Sequence, residues 1–378
     1  MKYPIKVLIL DTVMDRGGAE AMTMNYMRNI DRTKVQYDFL VHRNYKAAYE
    51  DEIEHLGGKI YRICPIYPQN FHRYKKEIRK FFKEHPEYKI IHCNISELGY
   101  FAYKEAYRAG IPVRICHSHN TPRGFDLKSI FRFYFKHLCR KYITHMYACS
   151  MDAGIWLFGE KNKNKIEVIP NSIDTNLYSY NEKKRNEIRN RLNISNEFIV
   201  GHVGRFFEQK NHLFLIDIFN EIIKLVPNSK LVLVGGGELD DALKNKVKEK
   251  ISKLNLESKV IFTGVVDNVH DYMQVFDVFL FPSLFEGFGI VLLEAQASGL
   301  HCITSKDVVP ESVNVCNLVE YISLEESANK WALETIKYDN KYERIDTSSI
   351  IKNAGFDIEE NSIKMMNKYI KMLKDKDK

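Results

Sequence analysis

Short apolar runs alternate along the chain with segments in which apolar residues recur every three or four positions. The runs are rich in Val, Ile, Leu and Phe and predict strands, whereas the wider spacing predicts helices. In the first half, the candidate strands are 5–11, 37–42, 59–63, 89–94, 113–119 and 146–150. The candidate helices between them are 19–30, 46–56, 71–84, 98–109 and 127–142.

The same alternation restarts after an apolar run at 166–174 and a polar, charged segment at 175–195. The second series has candidate strands at 198–204, 230–235, 260–264, 277–281 and 301–305. Its candidate helices are 211–225, 238–254 and 290–298. Alternating strands and helices indicate a mostly parallel sheet covered on both faces. We therefore predict two α/β domains with a boundary near 175–195.

The last segment, "IEENSIKMMNKYIKMLKDK", has the apolar spacing of an amphipathic helix. Its predicted apolar side carries Ile363, Met366, Tyr369, Ile370 and Leu373.

Composition narrows the class of protein. The chain has 378 residues, 45% of them hydrophobic and 28% charged, which suits two ordinary globular domains. No apolar run approaches the roughly 20 residues that span a bilayer, and we interpret "IKVLILD" as a strand rather than a signal peptide. Seven scattered cysteines without a CxxC pair favour free thiols in a reducing cytoplasm. The formal charge of +7 permits an anionic substrate or membrane surface and establishes neither.

In parallel sheets, ligands bind beyond the carboxyl ends of the strands, which directs attention to four loops. In "VGHVGRFFEQKNH", Arg205 and Lys210 flank a loop at a strand end and form a candidate diphosphate pocket. Solvated surface charges are the alternative. In "DRGGAE", Gly17 and Gly18 either let backbone N–H groups approach an anion or simply form a tight turn.

The stretch "FPSLFEGFGIVLLEAQASGL" combines glycines at a predicted helix start with two acids. The exposed backbone there suits phosphate oxygens. Glu286 is a candidate acceptor of sugar hydroxyls, and Glu294 of the two ribose hydroxyls. The alternatives are a helix-dipole acid for Glu286 and a salt-bridged helix residue for Glu294. Together with Arg205 and Lys210, they indicate one ligand with a sugar, a diphosphate and a nucleoside.

The Glu-(seven residues)-Glu spacing in this stretch, with "GRFFEQKN", "PNSID" and "GGAE", resembles the retaining glycosyltransferases of family 4 (group 1). The family includes bacterial capsular and exopolysaccharide sugar transferases. The resemblance implies the GT-B fold, an α/β architecture of two Rossmann-like, doubly wound domains facing across a cleft. It implies an acceptor-binding domain at 1–175, a donor-binding domain at 176–360 and a helix at 361–378 that crosses back to the first domain.

The resemblance also implies roles for individual residues. Arg205 and Lys210 match the cations that neutralise the donor diphosphate and the leaving group. Glu286 matches the acid on the transferred sugar, Glu294 the acid on the ribose, and His119 a histidine near the reacting sugar. The other implied donor-binding residues are Gly17, Gly18, Val265, Val266, Asn268, Phe288, Gly289 and Ile290.

The implied reaction moves a sugar from a nucleotide-diphosphate sugar to a glycan or lipid-linked acceptor and retains the anomeric configuration. A UDP-sugar is the favoured donor, and GDP-mannose is the main competitor. No cofactor or metal is expected, because Arg205 and Lys210 supply the positive charge and no Asp-x-Asp motif follows a predicted strand. Attack on the face of the departing phosphate ranks ahead of double displacement, for which no nucleophilic carboxylate is evident. We expect no nucleic-acid partner.

Three rival functions remain open. A GT-B-type sugar-nucleotide epimerase would need further acid–base residues around the sugar. A phosphorylase of related architecture would need a lysine-bound pyridoxal phosphate, and no segment of the sequence indicates a site for it. A catalytically silent sugar-nucleotide-binding protein is disfavoured by the complete set of two cations and two acids.

Two further segments have open interpretations. His117 and His119 alternate on a strand and share a face, which permits a metal site, a hydrogen-bonding His119 or a structural histidine. The segment 125–143 interleaves aromatic and basic residues. It is interpreted either as a core helix with a basic outer face or as an interfacial helix on anionic lipid. The second interpretation places a cytoplasmic protein at the inner face of the membrane.

Overall fold

The computed structural model describes residues 4–119, 127–236, 241–339 and 343–375. The chain forms two compact units. The first comprises Met1–Ile173 and Phe356–Lys378, and the second comprises Asp174–Gly355. The predicted segment 125–143 therefore begins outside the described residues, as does the predicted helix 238–254.

The first unit is built on a seven-stranded sheet in which every strand pair is parallel. Its strands are β1 (Ile5–Asp11), β2 (Val35–Val41), β3 (Ile60–Arg62), β4 (Ile90–Cys93), β5 (Val113–Ser118), β6 (His145–Ala148) and β7 (Ile166–Val168). Their order in the sheet is β3-β2-β1-β4-β5-β6-β7. The order reverses between β1 and β4, and such a reversal is where doubly wound sheets bind ligands.

Helices connect these strands and bury the sheet. They are α1 (Gly18–Asn29), α2 (Glu50–His55), α3 (Phe71–Glu84), α4 (Tyr100–Arg108), α5 (Leu127–Cys139) and α6 (Met151–Phe158). Six of the seven residues of β1 are buried, which explains why this strand appears as a nearly continuous apolar run rather than an alternating one.

The second unit repeats the plan with six parallel strands. They are β8 (Phe198–Val203), β9 (Ser229–Val234), β10 (Val260–Gly264), β11 (Val278–Phe281), β12 (Cys302–Ser305) and β13 (Val319–Ile322), in the order β10-β9-β8-β11-β12-β13. The helices are α7 (Thr175–Tyr178), α8 (Glu182–Arg191), α9 (His212–Leu225), α10 (Asp241–Lys253), α11 (Val269–Val275), α12 (Ile290–Ala297), α13 (Ala328–Thr335) and α14 (Ser348–Asn353). The predicted α/β class with mostly parallel sheets is confirmed.

The polar segment 175–195 is not an open linker, because it holds α7 and α8. Arg185 of α8 donates to Asp277 at 2.5 Å, and the same carboxylate accepts the Ile199 N–H at 2.7 Å. This partly buried ion pair attaches α8 to the sheet of the second unit, so a charge-rich sequence here encodes tertiary contacts. Sequence patterns did not predict α6, α11, β13, α13 or α14.

The final helix, α15 (Ile358–Lys374), belongs to the first unit. Asp357 caps its start by accepting the Glu360 N–H at 3.1 Å. Met366 and Tyr369 are buried as predicted, but the predicted apolar side wrongly includes Ile363, which is 55% exposed. Small polar residues are buried instead, since Ser362 lies against α1 and donates to the Asn29 carbonyl at 3.1 Å.

In the described part of the chain, no helix combines the length and apolarity needed to cross a membrane. All seven cysteines are free thiols, six of them buried and Cys316 partly buried.

Candidate functional site

The loops after β8 and β11 bring two of the predicted site residues into direct contact. Lys210 Nζ lies 2.6 Å from Glu286 Oε1, and their side chains are only 18% and 8% exposed. Lys210 also lies 4.5 Å above the centre of the Phe281 ring. Gln209 joins the two loops, because its carbonyl accepts the Leu284 N–H at 2.8 Å. A cation and a carboxylate thus share a sheltered position where the strand order reverses.

Arg205 lies in the same loop but faces solvent. Its guanidinium stacks on the exposed ring of Phe207 at 4.6 Å. This contact orients a side chain that otherwise has many rotamers, and a guanidinium can bind two oxygens of a phosphate at once.

Two buried histidines that sequence analysis missed lie beside Lys210. Burial, reinforced by the Lys210 charge, lowers the pKa of His202 to about 4 and that of His212 to about 2. His202 Nδ1 lies 2.9 Å from the Leu280 carbonyl, which only accepts, so this nitrogen carries the ring proton. Both rings are neutral at physiological pH and leave Lys210 as the local cation.

The helix α12 begins directly after Gly289, whose φ of +79° lies in the left-handed region. Glycine adopts this conformation without strain, so the residue allows the loop to turn into the helix. Phe288 is buried beside it, and Ile290 is the first helical residue. The backbone N–H groups of the first turn therefore lie at the end of the loop that carries Glu286.

Glu294 lies in the second turn of α12 and is half-buried. Burial raises its pKa to about 7, and a hydrogen bond from Tyr178 opposes this shift. Its carboxyl group is therefore more readily protonated near neutral pH than an ordinary glutamate, and hydrogen-bond donors favour its ionised form.

The loop after β10 carries the residues predicted to lie near the base. A Cβ atom on Gly236 would lie 2.5 Å from Val265 Cγ2, so the glycine permits close packing of two strand-end loops. Val265 is 45% exposed and Val266 is half-buried. The Asn268 amide donates to Asp271 at 2.6 Å, so this side chain is already engaged.

In the first unit, His119 is buried just beyond β5. Its Nε2 lies 3.1 Å from Asn94 Oδ1, and the Asn94 amide donates to Asp11 Oδ2 at 3.2 Å and to Thr23 Oγ1 at 3.0 Å. The amide oxygen only accepts, so His119 carries its proton on Nε2 and presents Nδ1 as an acceptor. Burial lowers the His119 pKa to about 4, so the ring is neutral.

Asp11, Asn94 and Thr23 were not predicted as site residues. Burial raises the pKa of Asp11 to about 6, opposed by the Thr12 N–H and by Asn94. The signal was present, because the strand candidates ending in "LILD" and "IIHCN" each finish on a polar residue at the strand terminus. What one sequence lacks is the register that places these two ends beside each other.

Gly17 precedes α1 and Gly18 is its first residue. A Cβ atom on Gly17 would lie 2.2 Å from a Glu20 carboxylate oxygen, so this acid covers the backbone at the helix start. Nothing lies within 4 Å of a Cβ atom built on Gly18.

The predicted site residues thus form two groups. Gly17, Gly18 and His119 belong to the first unit, and the others belong to the second. Over the ranges that the structure describes, no group of three or more His, Cys, Asp or Glu side chains is arranged to hold a metal ion.

Comparison with known proteins gives matches along both units. The family described as "Glycosyltransferase Family 4" matches residues 16–177, and "Glycosyl transferases group 1" matches residues 184–338. The "Putative glycosyltransferase EpsF" of Bacillus subtilis (strain 168) is 37% identical over 374 residues, or 96% of each chain. An Escherichia coli "UDP-Gal:alpha-D-GlcNAc-diphosphoundecaprenol alpha-1,3-galactosyltransferase" is 31% identical over 232 residues, or 58% of each chain.

Among solved structures, Anabaena Alr3699/HepE in complex with UDP and glucose matches with a TM-score of 0.77. The match covers 97% of this chain and 99% of that one at 22% identity, which establishes a shared GT-B fold. Fold, family and full-length similarity agree: the chain belongs to the group 1, family 4 glycosyltransferases and is an enzyme that transfers glycosyl groups.

Proposed function

We propose that the enzyme is a retaining glycosyltransferase that moves a sugar from a UDP-sugar to a glycan or lipid-linked acceptor during surface-polysaccharide assembly. The contact between Lys210 and Glu286 carries this proposal. It provides, at one point, a cation for a diphosphate and a carboxylate for the hydroxyl groups of the adjoining sugar.

The donor is assigned to the second unit. Lys210 and Arg205 bind the diphosphate, and the N–H groups at the start of α12 add donors to its oxygens. Glu294 accepts the ribose hydroxyls when it is ionised. Val265, Val266 and Asn268 border the base. UDP is favoured because the Anabaena structure contains UDP and the Escherichia coli relative is named for UDP-Gal.

The reaction separates charge, since the anomeric carbon becomes positive and the departing diphosphate becomes negative. Fixed cations at the diphosphate lower the energy of that transition state more than that of the bound donor. In this proposal, the acceptor hydroxyl attacks the face that the phosphate leaves, and a phosphate oxygen takes its proton. His119 Nδ1 accepts a hydrogen bond from a hydroxyl of the transferred sugar.

The first unit is assigned to the acceptor, with the lipid-linked class supported by the diphosphoundecaprenol acceptor in the name of the Escherichia coli relative. We also propose contact with anionic lipid at the inner face of the membrane through α5. Phe133 and Tyr134 are 65% and 60% exposed. Two basic residues of the same helix contact neighbouring side chains. Arg132 donates to Glu97 at 2.5 Å, and Lys136 Nζ lies 4.7 Å from the centre of the Trp156 ring.

Flotation with vesicles tests the membrane contact. The wild-type enzyme should bind vesicles that contain anionic lipid and should bind neutral vesicles weakly. A variant with Phe133→Ser and Tyr134→Ser should bind the anionic vesicles more weakly than the wild type while its melting temperature stays unchanged. Equal binding to both kinds of vesicle would contradict the proposed contact with anionic lipid.

Transfer itself is tested with a panel of UDP- and GDP-sugars against undecaprenyl-diphosphate-linked sugars, with the anomeric configuration of the product read by NMR. We expect a UDP-sugar to be consumed with retention. Lys210→Ala should reduce turnover by about 10² or more, because an electrostatic contact to the leaving group is lost. Wild-type turnover in Lys210→Ala, an inverted product or an epimerised free nucleotide sugar would each contradict the proposal.

A further inference from the structure

A chain of hydrogen-bonded aromatic residues runs through the interior of the first unit from the last helix towards His119. The Tyr369 hydroxyl lies 2.6 Å from His92 Nδ1, and His92 Nε2 lies 2.9 Å from His117 Nδ1. All three side chains lie at 4% exposure or less. His92 of β4 and His117 of β5 are 25 residues apart, whereas Tyr369 of α15 lies 277 residues beyond His92.

The partners at one end define where the protons lie. The Tyr37 hydroxyl lies 3.5 Å from the Tyr369 oxygen, too far to compete with the 2.6 Å contact between Tyr369 and His92, so we assign the Tyr369 hydrogen to His92 Nδ1. His92 then carries its proton on Nε2 and donates it to His117 Nδ1. His117 therefore has the same tautomer, with its proton on Nε2. In this hydrogen-bonded series, the position of the proton on one side chain determines the position of the proton on the next.

The histidines remain neutral throughout the physiological range. Burial lowers the pKa of His92 to about 3, and it lowers that of His117 well below its usual value. The titratable groups that face them are mostly tyrosines, with Tyr147 at the edge of both rings and Tyr37 beyond Tyr369. This series of hydrogen-bonded side chains therefore acts through hydrogen-bond direction and ring position rather than through charge.

The His117 ring contacts the His119 ring, so the orientation of His117 constrains the orientation of His119. The two ring centres are 4.0 Å apart at an angle of 34°. His119 also contacts Asn94 through Nε2, so two separate contacts define its orientation. Asn94, His92 and Tyr369 also line one small cavity between the sheet and the helices, which places both supports within a single packed region.

We propose that Tyr369 of α15 is a positioning residue that, through His92 and His117, holds the ring of His119 with Nδ1 directed to its ligand. The catalytic part of this inference rests on the proposed role of His119, whereas the hydrogen-bond part does not. The final helix therefore contributes to the chemistry of the first unit as well as to its packing.

The hydrogen-bond part is tested by ¹⁵N NMR of histidine-labelled protein. In the wild type, His92, His117 and His119 should all carry their protons on Nε2. Tyr369→Phe should shift the His92 Nδ1 resonance and change the His117 resonances, because it removes the hydroxyl and keeps the ring. Unchanged resonances of His92 and His117, or a wild-type His92 protonated on Nδ1, would overturn the inference whether or not transfer is detected.

Tyr26→Phe is the matched control. Tyr26 lines the same cavity and is 3% exposed, but its hydroxyl donates to the Pro170 carbonyl at 3.1 Å rather than to the histidines. This variant should leave the histidine resonances in place. A similar shift in both variants would indicate general loosening of the core and contradict a specific role for Tyr369.

Kinetics test the consequence for transfer. Loss of one buried hydrogen bond should lower kcat roughly fivefold in Tyr369→Phe, with donor KM unchanged because the diphosphate is bound by other residues. Tyr26→Phe should stay within about twofold of wild type, because its hydroxyl bonds to the Pro170 carbonyl and not to the histidines. A changed NMR spectrum with wild-type kcat would overturn the link to His119, and complete absence of transfer in the wild type would count against the proposed function instead.

Discussion

Lys210 Nζ and Glu286 Oε1 lie 2.6 Å apart in a largely buried ion pair. The cation assigned to the diphosphate and the acid assigned to the sugar thus neutralise each other. Removing one partner of such a pair leaves an uncompensated charge and typically costs about 3–5 kcal/mol. A ligand that offers both a diphosphate and hydroxyl groups can replace both halves of the pair at once. The contact therefore favours an intact nucleotide sugar over either of its parts.

The first prediction concerns Glu286→Gln. With the competing carboxylate neutralised, Lys210 should bind a sugar-free diphosphate more tightly, so the Kd for UDP should fall by about threefold to tenfold, an effect of roughly 1 kcal/mol. Sugar transfer should decrease sharply at the same time. Titration calorimetry measures the first effect and a donor-consumption assay the second. Glu294→Gln is the comparison: Glu294 is not paired with Lys210 and is assigned to the ribose, so this variant should not bind UDP more tightly. Weaker UDP binding by Glu286→Gln would contradict the competition.

The second prediction concerns the pH dependence of nucleotide binding. Burial raises the pKa of Glu294 to about 7. In the proposed donor site its ionised form accepts the two ribose hydroxyls. The affinity for UDP should therefore fall as the pH decreases from 8 to 6. Glu294→Gln cannot ionise and should remove this part of the pH dependence. If the UDP affinities of the wild type and of Glu294→Gln changed with pH in the same way, in the same buffers, another group would be responsible for the pH dependence.

The third prediction concerns stability. Asp11 has a pKa of about 6 in the folded protein against 3.8 for an ordinary aspartate, so the folded state binds its proton more tightly than the unfolded state. The free energy of unfolding should therefore fall as the pH rises from about 4 to 6, by roughly 3 kcal/mol if one group acts alone.

Urea denaturation of the wild type and of Asp11→Asn across this range measures the Asp11 contribution. The variant keeps one acceptor for Asn94 but does not titrate, so its unfolding midpoint should depend less on pH. An equal slope for both proteins would assign the effect to other groups.

The fourth prediction compares two glycines. Gly289→Ala should lower the free energy of unfolding of the second unit by about 1–2 kcal/mol, because the left-handed backbone disfavours a side chain. The surroundings have room for the methyl group, whose nearest atom would be Leu292 Cδ1 at 3.4 Å. Gly18→Ala starts a helix in open space and should be neutral or slightly stabilising. Equal losses in urea titrations of the two variants would argue against backbone strain at Gly289.

Much of the site was predictable because its signals are local. Arg205 and Lys210 follow a strand, and Glu286 and Glu294 flank a helix start, so short spacings identify them. His202 and His212 escaped notice because their importance depends on burial beside Lys210, which no pattern of neighbours in the sequence reports. The same holds for Asp11 and Asn94, which end separate strands.

The amino-acid sequence by itself determined the alternation of strands and helices and the motif of two cations and two acids, because these depend on residues close together in the chain. Only the tertiary structure decided which groups touch. The pairing of Lys210 with Glu286, the amide of Asn94 between Asp11 and His119, and the line from Tyr369 to His117 all join residues on different elements. Strand order and register create these contacts, and burial then adjusts the pKa values of the groups that meet there.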